Sequence, residues 1–165
     1  MGNRFIQACG IYQLIGGFLG LVVSIVGIVQ LGPSDPLVVL ILIMALLAYS
    51  FSILCGILLL KSKHSARSLL MSILNQLPQV LVIYSSASIY KFVAGIAIIV
   101  GIRFNLTHTL SIKFTASTFL VHWGEVLNQE EFYGVNFVAL FLVVALTQRL
   151  MRAPAPARIT PPLPR

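Results

Sequence analysis

Ile102-Arg103-Phe104-Asn105-Leu106-Thr107-His108-Thr109-Leu110-Ser111-Ile112-Lys113-Phe114-Thr115-Ala116-Ser117 alternates apolar and polar side chains almost without fault. The even positions are apolar except for His108, and the odd positions carry no apolar side chain at all. A period of two places one class on each face of a strand, whereas a helix would distribute both around its circumference. The Thr and Phe content suits a strand. The stretch therefore predicts an amphipathic β-structure. The even positions Phe92, Ala94, Ile96, Ile98 and Val100 continue its apolar face upstream. They mark Phe92 to Val100 as its antiparallel partner, with the reversal near Gly101 to Asn105 or near His108.

Away from that stretch the chain is oily. Of 165 residues 58% are hydrophobic and only 9% charged, and the mean hydropathy is strongly positive. Such a composition predicts an integral membrane protein, mainly α, with membrane lipid as its surroundings. The net charge of +7 lies in short segments between apolar runs, with no basic cluster interleaved with aromatics. It is read as an orientation signal, with no nucleic acid as partner. Cys9 and Cys55 lie in apolar runs without a CxxC pair, which points to neither a disulfide framework nor a redox site. Arg4 precedes an apolar run without a small-x-small cleavage site, so this end is expected to remain as an anchor.

Four crossings are expected, with an amphipathic β-hairpin or strand region (about 92–120) on the outer side between the third and fourth. The first spans about 5–31, more than a hydrocarbon layer of about 30 Å requires. Gly10, Gln13, Gly17, Gly20, Ser24 and Gly27 recur along it at spacings of three and four, a face that lets another helix approach closely. Gly32-Pro33-Ser34-Asp35-Pro36 is a turn. The second crossing, about 37–60, has its own small residues, Ala45, Ala48, Ser52 and Cys55, in the same rhythm. Close antiparallel packing of the two helices follows.

The third crossing is placed at about 69–90, where Tyr90 and Lys91 would lie at the outer boundary. A register at 80–101 would instead put Lys91 near the bilayer centre, at a cost of about 2.5 to 3.5 kcal/mol. The fourth is placed at about 134–150. Between strand and fourth crossing, Trp123 and Tyr133 suit a membrane surface. Residues 1–152 form one membrane domain, and 153–165, rich in Pro, are expected to be a disordered or polyproline-like cytoplasmic tail. Lys61, Lys63 and Arg67 make a short basic loop without an acid. With Arg4 and the basic residues after Arg149 they place both termini in the cytoplasm of a multi-pass protein of the cell inner or plasma membrane.

Catalytic signatures are sparse. No Walker loop, dinucleotide fingerprint, zinc-protease or nucleophile-elbow pattern is present, and no cofactor is expected. His122 with Glu125, Glu130 and Glu131, and His108 nearby, is the best metal-ligand cluster, read as an interfacial polar loop rather than a metal site. His64 is read as solvated among the basic residues. Asn105-Leu106-Thr107 matches a glycosylation sequon, and Pro161 to Arg165 resembles a PxxP ligand. The expectation is a non-enzymatic scaffold or accessory subunit, with a homo-oligomer or a membrane-protein partner, assembling through the small-residue helix faces and an outer β-edge. The alternative is a channel or transporter whose polar path uses Asn75, Gln76, Gln79 and Lys91. A surface metalloenzyme at His122 and Glu125 is a third.

Overall fold

The computed structural model describes residues 3–31, 36–62, 65–104, 108–123 and 130–152. The Gly32–Asp35 turn, Lys63, His64, the sequon at 105–107, Glu125 and the tail at 153–165 lie outside the described residues. In order, the chain forms α1 (Asn3–Leu31), α2 (Pro36–Lys61), α3 (Ala66–Gln76), β1 (Leu81–Tyr84), β2 (Ser88–Phe104), β3 (Thr109–Trp123), β4 (Glu131–Asn136) and α4 (Phe137–Met151). It is a mixed helix and sheet fold, not a mainly α one.

Among the described residues, α1 and α2 are the two helices long and apolar enough to cross a membrane, with mean hydropathies of 2.1 and 2.8. They form an antiparallel pair around small residues. A methyl group at Gly10 would touch Leu60, at Gly17 the Ile53 side chain and the Tyr49 carbonyl, and at Gly20 the Tyr49 ring. Gly27 is looser, with Leu42 at 3.8 Å from such a methyl. Ala45 and Ser52 are buried on the α2 side and Ala48 is half-buried, while the Ser24 hydroxyl returns to the Gly20 carbonyl one turn back.

The third expected crossing requires correction. Instead of one helix over 69–90, α3 ends at Gln76, a single 3₁₀ turn covers Leu77–Gln79, and the chain turns into β1. Pro78 has no N–H with which to continue the α-helical ladder, and the branched residues after it suit a strand. Side chains and neighbouring strands take up carbonyls freed at this corner. Asn75 O accepts from Gln79 Nε2 (2.9 Å), Pro78 O from the Tyr90 hydroxyl (2.7 Å) and Val80 O from Asn136 N (2.7 Å). A tight turn at Ser85–Ser88, with Ser85 N to Ser88 O at 2.8 Å, then reverses the chain.

α4 also departs from expectation. Residues 134–136 are strand, and Asn136 caps the helix by accepting from Val138 N at 3.1 Å and Ala139 N at 3.4 Å. At 11 and 15 residues, α3 and α4 extend about 17 and 22 Å, short of a bilayer's apolar layer. Both pack with α1 and α2 around Ile6, Cys9, Leu59, Leu69, Ile73, Leu142 and Leu146.

The sheet is antiparallel, in the order β1-β4-β2-β3. β2 meets β3 along its length on one edge. Its other edge is shared: β1 pairs with the first part (Val82 opposite Lys91) and β4 with the last (Gly134 opposite Gly101). β1 and β4 also pair antiparallel with each other (Val82 opposite Gly134). Three straight strands cannot each be antiparallel to the other two, so β2 has to swing round between Lys91 and Ile99. It does so at a bulge between Val93 and Ile96, where Gly95 takes φ +108°.

The reversal expected near Gly101 to Asn105 or near His108 falls within the alternating stretch, between Phe104 and Thr109. Ile102 lies opposite Leu110 and Ile98 opposite Phe114, so even positions meet even positions and the alternation passes through the turn unbroken. The location also differs from the expected outer rim. The bulge packs against the middle of α1, at Gly16, and the middle of α2, at Tyr49.

Candidate functional site: a stapled bulge and a cationic sheet face

A bulge leaves backbone groups outside the ladder, and in a buried place each must find another partner. Here four elements supply side chains to four consecutive residues. Tyr49 of α2 donates to Val93 O at 3.3 Å, and Gln79 Oε1 accepts from Ala94 N at 2.8 Å. Ser117 Oγ accepts from Gly95 N at 3.1 Å and donates to Gly16 O of α1 at 3.0 Å, while Tyr12 of α1 donates to Ile96 O at 2.8 Å.

From Gln79 the polar contacts continue into the helices. Asn75 donates through Nδ2 to Ser52 Oγ (3.1 Å), Ser52 to Gln13 O (3.3 Å), and Ser72 to Gln13 Oε1 (3.1 Å). Of the four residues read as a polar path, Asn75, Gln76 and Gln79 are buried together, Asn75 and Gln79 as parts of this bonded chain. Gln76 is fully buried with neither amide atom hydrogen-bonded. Lys91 lies apart from them, on the sheet.

The sheet's two sides differ sharply. Residues directly opposite in a sheet share a face, so pairing carries one face from strand to strand. Lys91 shares a side with Val82, Val82 with Gly134, and Gly134 with Gly101, which places Arg103 there also. Lys113 stands opposite Ile99, and Thr115 opposite Ala97, on that same side. This inner side encloses Val82, Val93, Ala97, Ile99 and Phe132, with Tyr84 against them.

Three cations therefore share the inner side. Lys91 Nζ donates to Thr115 Oγ1 at 3.1 Å, and Lys113 Nζ sits 4.2 Å from the centre of the Phe132 ring and 5.3 Å from that of Tyr84. Arg103 Nε is 3.1 Å from Glu130 Oε2. Burial, and then the neighbouring Lys113, push the Lys91 pKa below its ordinary value. Burial and Arg103 lower that of Lys113, with Glu130 pulling in the opposite direction.

The other side is an apolar skin open to the surroundings. Ile96, Ile98, Ile102, Leu110, Ile112 and Phe114 are exposed, Leu110 and Phe114 by 74% and 75%. A groove of about 550 Å³ bounded by Ile102, Leu110, Tyr133, Phe137 and Leu140 carries this skin onto α4. β3 pairs with β2 alone, and no other strand among the described residues occupies its far edge.

His122 and His108 are exposed, and no group of three metal-ligating side chains occurs among the described residues. Lys61 and Arg67 flank the connection between α2 and α3. Reading the sequence identified Lys91 but treated Arg103 and Lys113 only as members of a polar strand face, and missed Tyr84 and Phe132. The serine cluster at 85–88, a turn signal between two branched runs, was the available clue to β1 and hence to this site.

No family model, curated protein or solved structure matches this chain. What its fold defines is a class: an α1–α2 pair of membrane-crossing length carrying a curled four-stranded sheet.

Proposed function

We propose that the chain is a multi-pass protein of the cell inner or plasma membrane, with both termini cytoplasmic, that serves as a non-enzymatic scaffold or accessory subunit. The observation that carries this reading is the exposed apolar skin of the sheet beside the open edge of β3. An apolar face of this kind is stable in lipid and prone to association in water. In lipid, however, unpaired backbone groups along a strand edge cost several kcal/mol each, so the edge calls for a partner. A second copy, adding its own β3, satisfies it.

The helices support the lipid setting. Only 28% and 17% of the residues in the most apolar windows of α1 and α2 are buried within the fold, whereas a soluble protein's core helix is mostly covered. The small-residue faces of Gly10, Gly17, Gly20, Ala45 and Ser52 are occupied by α1–α2 packing, which leaves the sheet edge as the assembly surface. Crosslinking in native membranes, followed by purification in mild detergent, tests the reading. A dimer, a higher oligomer or a stoichiometric membrane-protein partner is expected, and a strictly monomeric, partnerless protein rejects it.

A permeation protein is the second reading, favoured by the unbonded amide of Gln76 between the helices. Reconstituted vesicles should then show a solute flux that Gln76→Leu alters, and tight vesicles dispose of it.

A further inference from the structure

Among the described residues, positive charge on the inner side of the sheet exceeds negative charge. Arg103 faces Glu130, but among the described residues neither Lys91 nor Lys113 has a carboxylate at ion-pair distance. Their own contacts are neutral ones, a threonine hydroxyl and two aromatic rings. These hold the ammonium groups in place, and Glu130, which also faces Arg103, is the one carboxylate that acts on Lys113 among the described residues. Nor can the strands let the cations separate, because the register that sets Lys113 opposite Ile99 also fixes Arg103 on the same side. Among the described residues, three cations against one carboxylate leave two positive charges in surplus on a face walled by Tyr84 and Phe132.

We propose that this face binds a phosphate group, with the Lys91 and Lys113 ammonium groups as its principal ligands, Arg103 as a third donor at the rim and the Thr115 hydroxyl as a neutral one. A phosphate monoester carries nearly the charge in surplus and has enough oxygens to accept from several donors at once. Such a group is presented by the headgroup of an anionic lipid or by a soluble phosphate compound. This binding does not depend on the assembly proposed above and goes beyond it.

The experiment uses the full chain purified in a neutral detergent. In one arm, inorganic phosphate and pyrophosphate are titrated while binding heat and thermal stability are followed. In the other, the protein is offered phosphatidic acid or phosphatidylcholine in the micelle, and retained lipid is counted by native mass spectrometry. Lys91→Gln/Lys113→Gln is compared with wild type and with Lys61→Gln, which removes a charge far from the sheet. Loss of two charge-assisted contacts is expected to weaken binding by roughly tenfold or more. Lys113→Arg should retain most of it, and circular dichroism establishes that each variant is folded.

Preferential retention of phosphatidic acid assigns the site to lipid, and a response to free phosphate alone assigns it to a soluble ligand. Either supports the proposal. Indifference to both, or equal binding by the folded double variant, overturns it. Because no bilayer or oligomer is needed, failure of the scaffold reading would leave this result intact.

Discussion

Gly16 and Gly95 meet where α1 crosses the bulge, and the space between them allows no side chain. A methyl group on Gly16 would come within 2.6 Å of the Gly95 Cα, and one on Gly95 would come within 2.7 Å of the Tyr12 ring while forcing alanine into a left-handed backbone. Backbone on both sides cannot yield cheaply. Gly16→Ala is therefore expected to destabilise the protein by about 1 to 3 kcal/mol, read as a lower unfolding temperature in detergent. Gly27→Ala, with only a 3.8 Å contact, should be nearly neutral. Gln79→Leu tests the staple directly: it leaves Ala94 N buried without its acceptor, at about 1 to 3 kcal/mol.

The lysines add a pH dependence of definite sign. Lys91 and Lys113 bind their protons less tightly when folded than in the unfolded chain, where the value is near 10.5. Between the depressed folded value and 10.5 the unfolded state holds more protons, so stability rises with pH through that window. At lower pH both states are protonated and the penalty of the buried charge stays constant. Lys91→Met should flatten the rise seen in unfolding curves taken across the alkaline range.

At the scale of elements, the strands behave as a sheet turned inside out. The apolar positions Ile96, Ile98 and Ile102 of β2 and Leu110, Ile112 and Phe114 of β3 face outward, and the inner side holds cations beside its small core. The open edge of β3 is the element's vulnerable part. Replacing Ile112 or Phe114 by lysine puts charge into the skin without touching the inner packing. Crosslinked oligomer in native membranes should fall sharply with such a change, while Gly16 and Gln79 variants that still fold should keep it. An undiminished oligomer would place the assembly surface elsewhere.

Both short helices owe their length to a residue at one end. Pro78 stops α3, and Asn136, the last of the six residues of β4, starts α4. Here the alternation was legible and led to the correct neighbouring strand, but its apolar face does not continue to Phe92: past the bulge Phe92 and Ala94 turn to the helices, against Tyr49 and Ala45. β1 and β4 were not legible. Each is short, and its oily residues also suit the buried end of a membrane helix.

For the whole molecule, α1 and α2 supply the length a membrane requires, and the sheet is built against their middle rather than beyond their ends. The bonded chain from Gln13 through Ser52, Asn75 and Gln79 to the bulge ties these parts together. Residues expected to line a path thus include two that hold the fold in register.

Composition and hydrophobic period, which are local quantities, determined by themselves that the chain is oily, that its first two helices are long and that a strand pair with one apolar face lies near residue 110. The tertiary structure alone decided that Lys91, Arg103 and Lys113 share a side, since that depends on which strands pair and on where β2 bends. One extra residue at a bulge changes both, and nothing in the local alternation records which way the strand will turn.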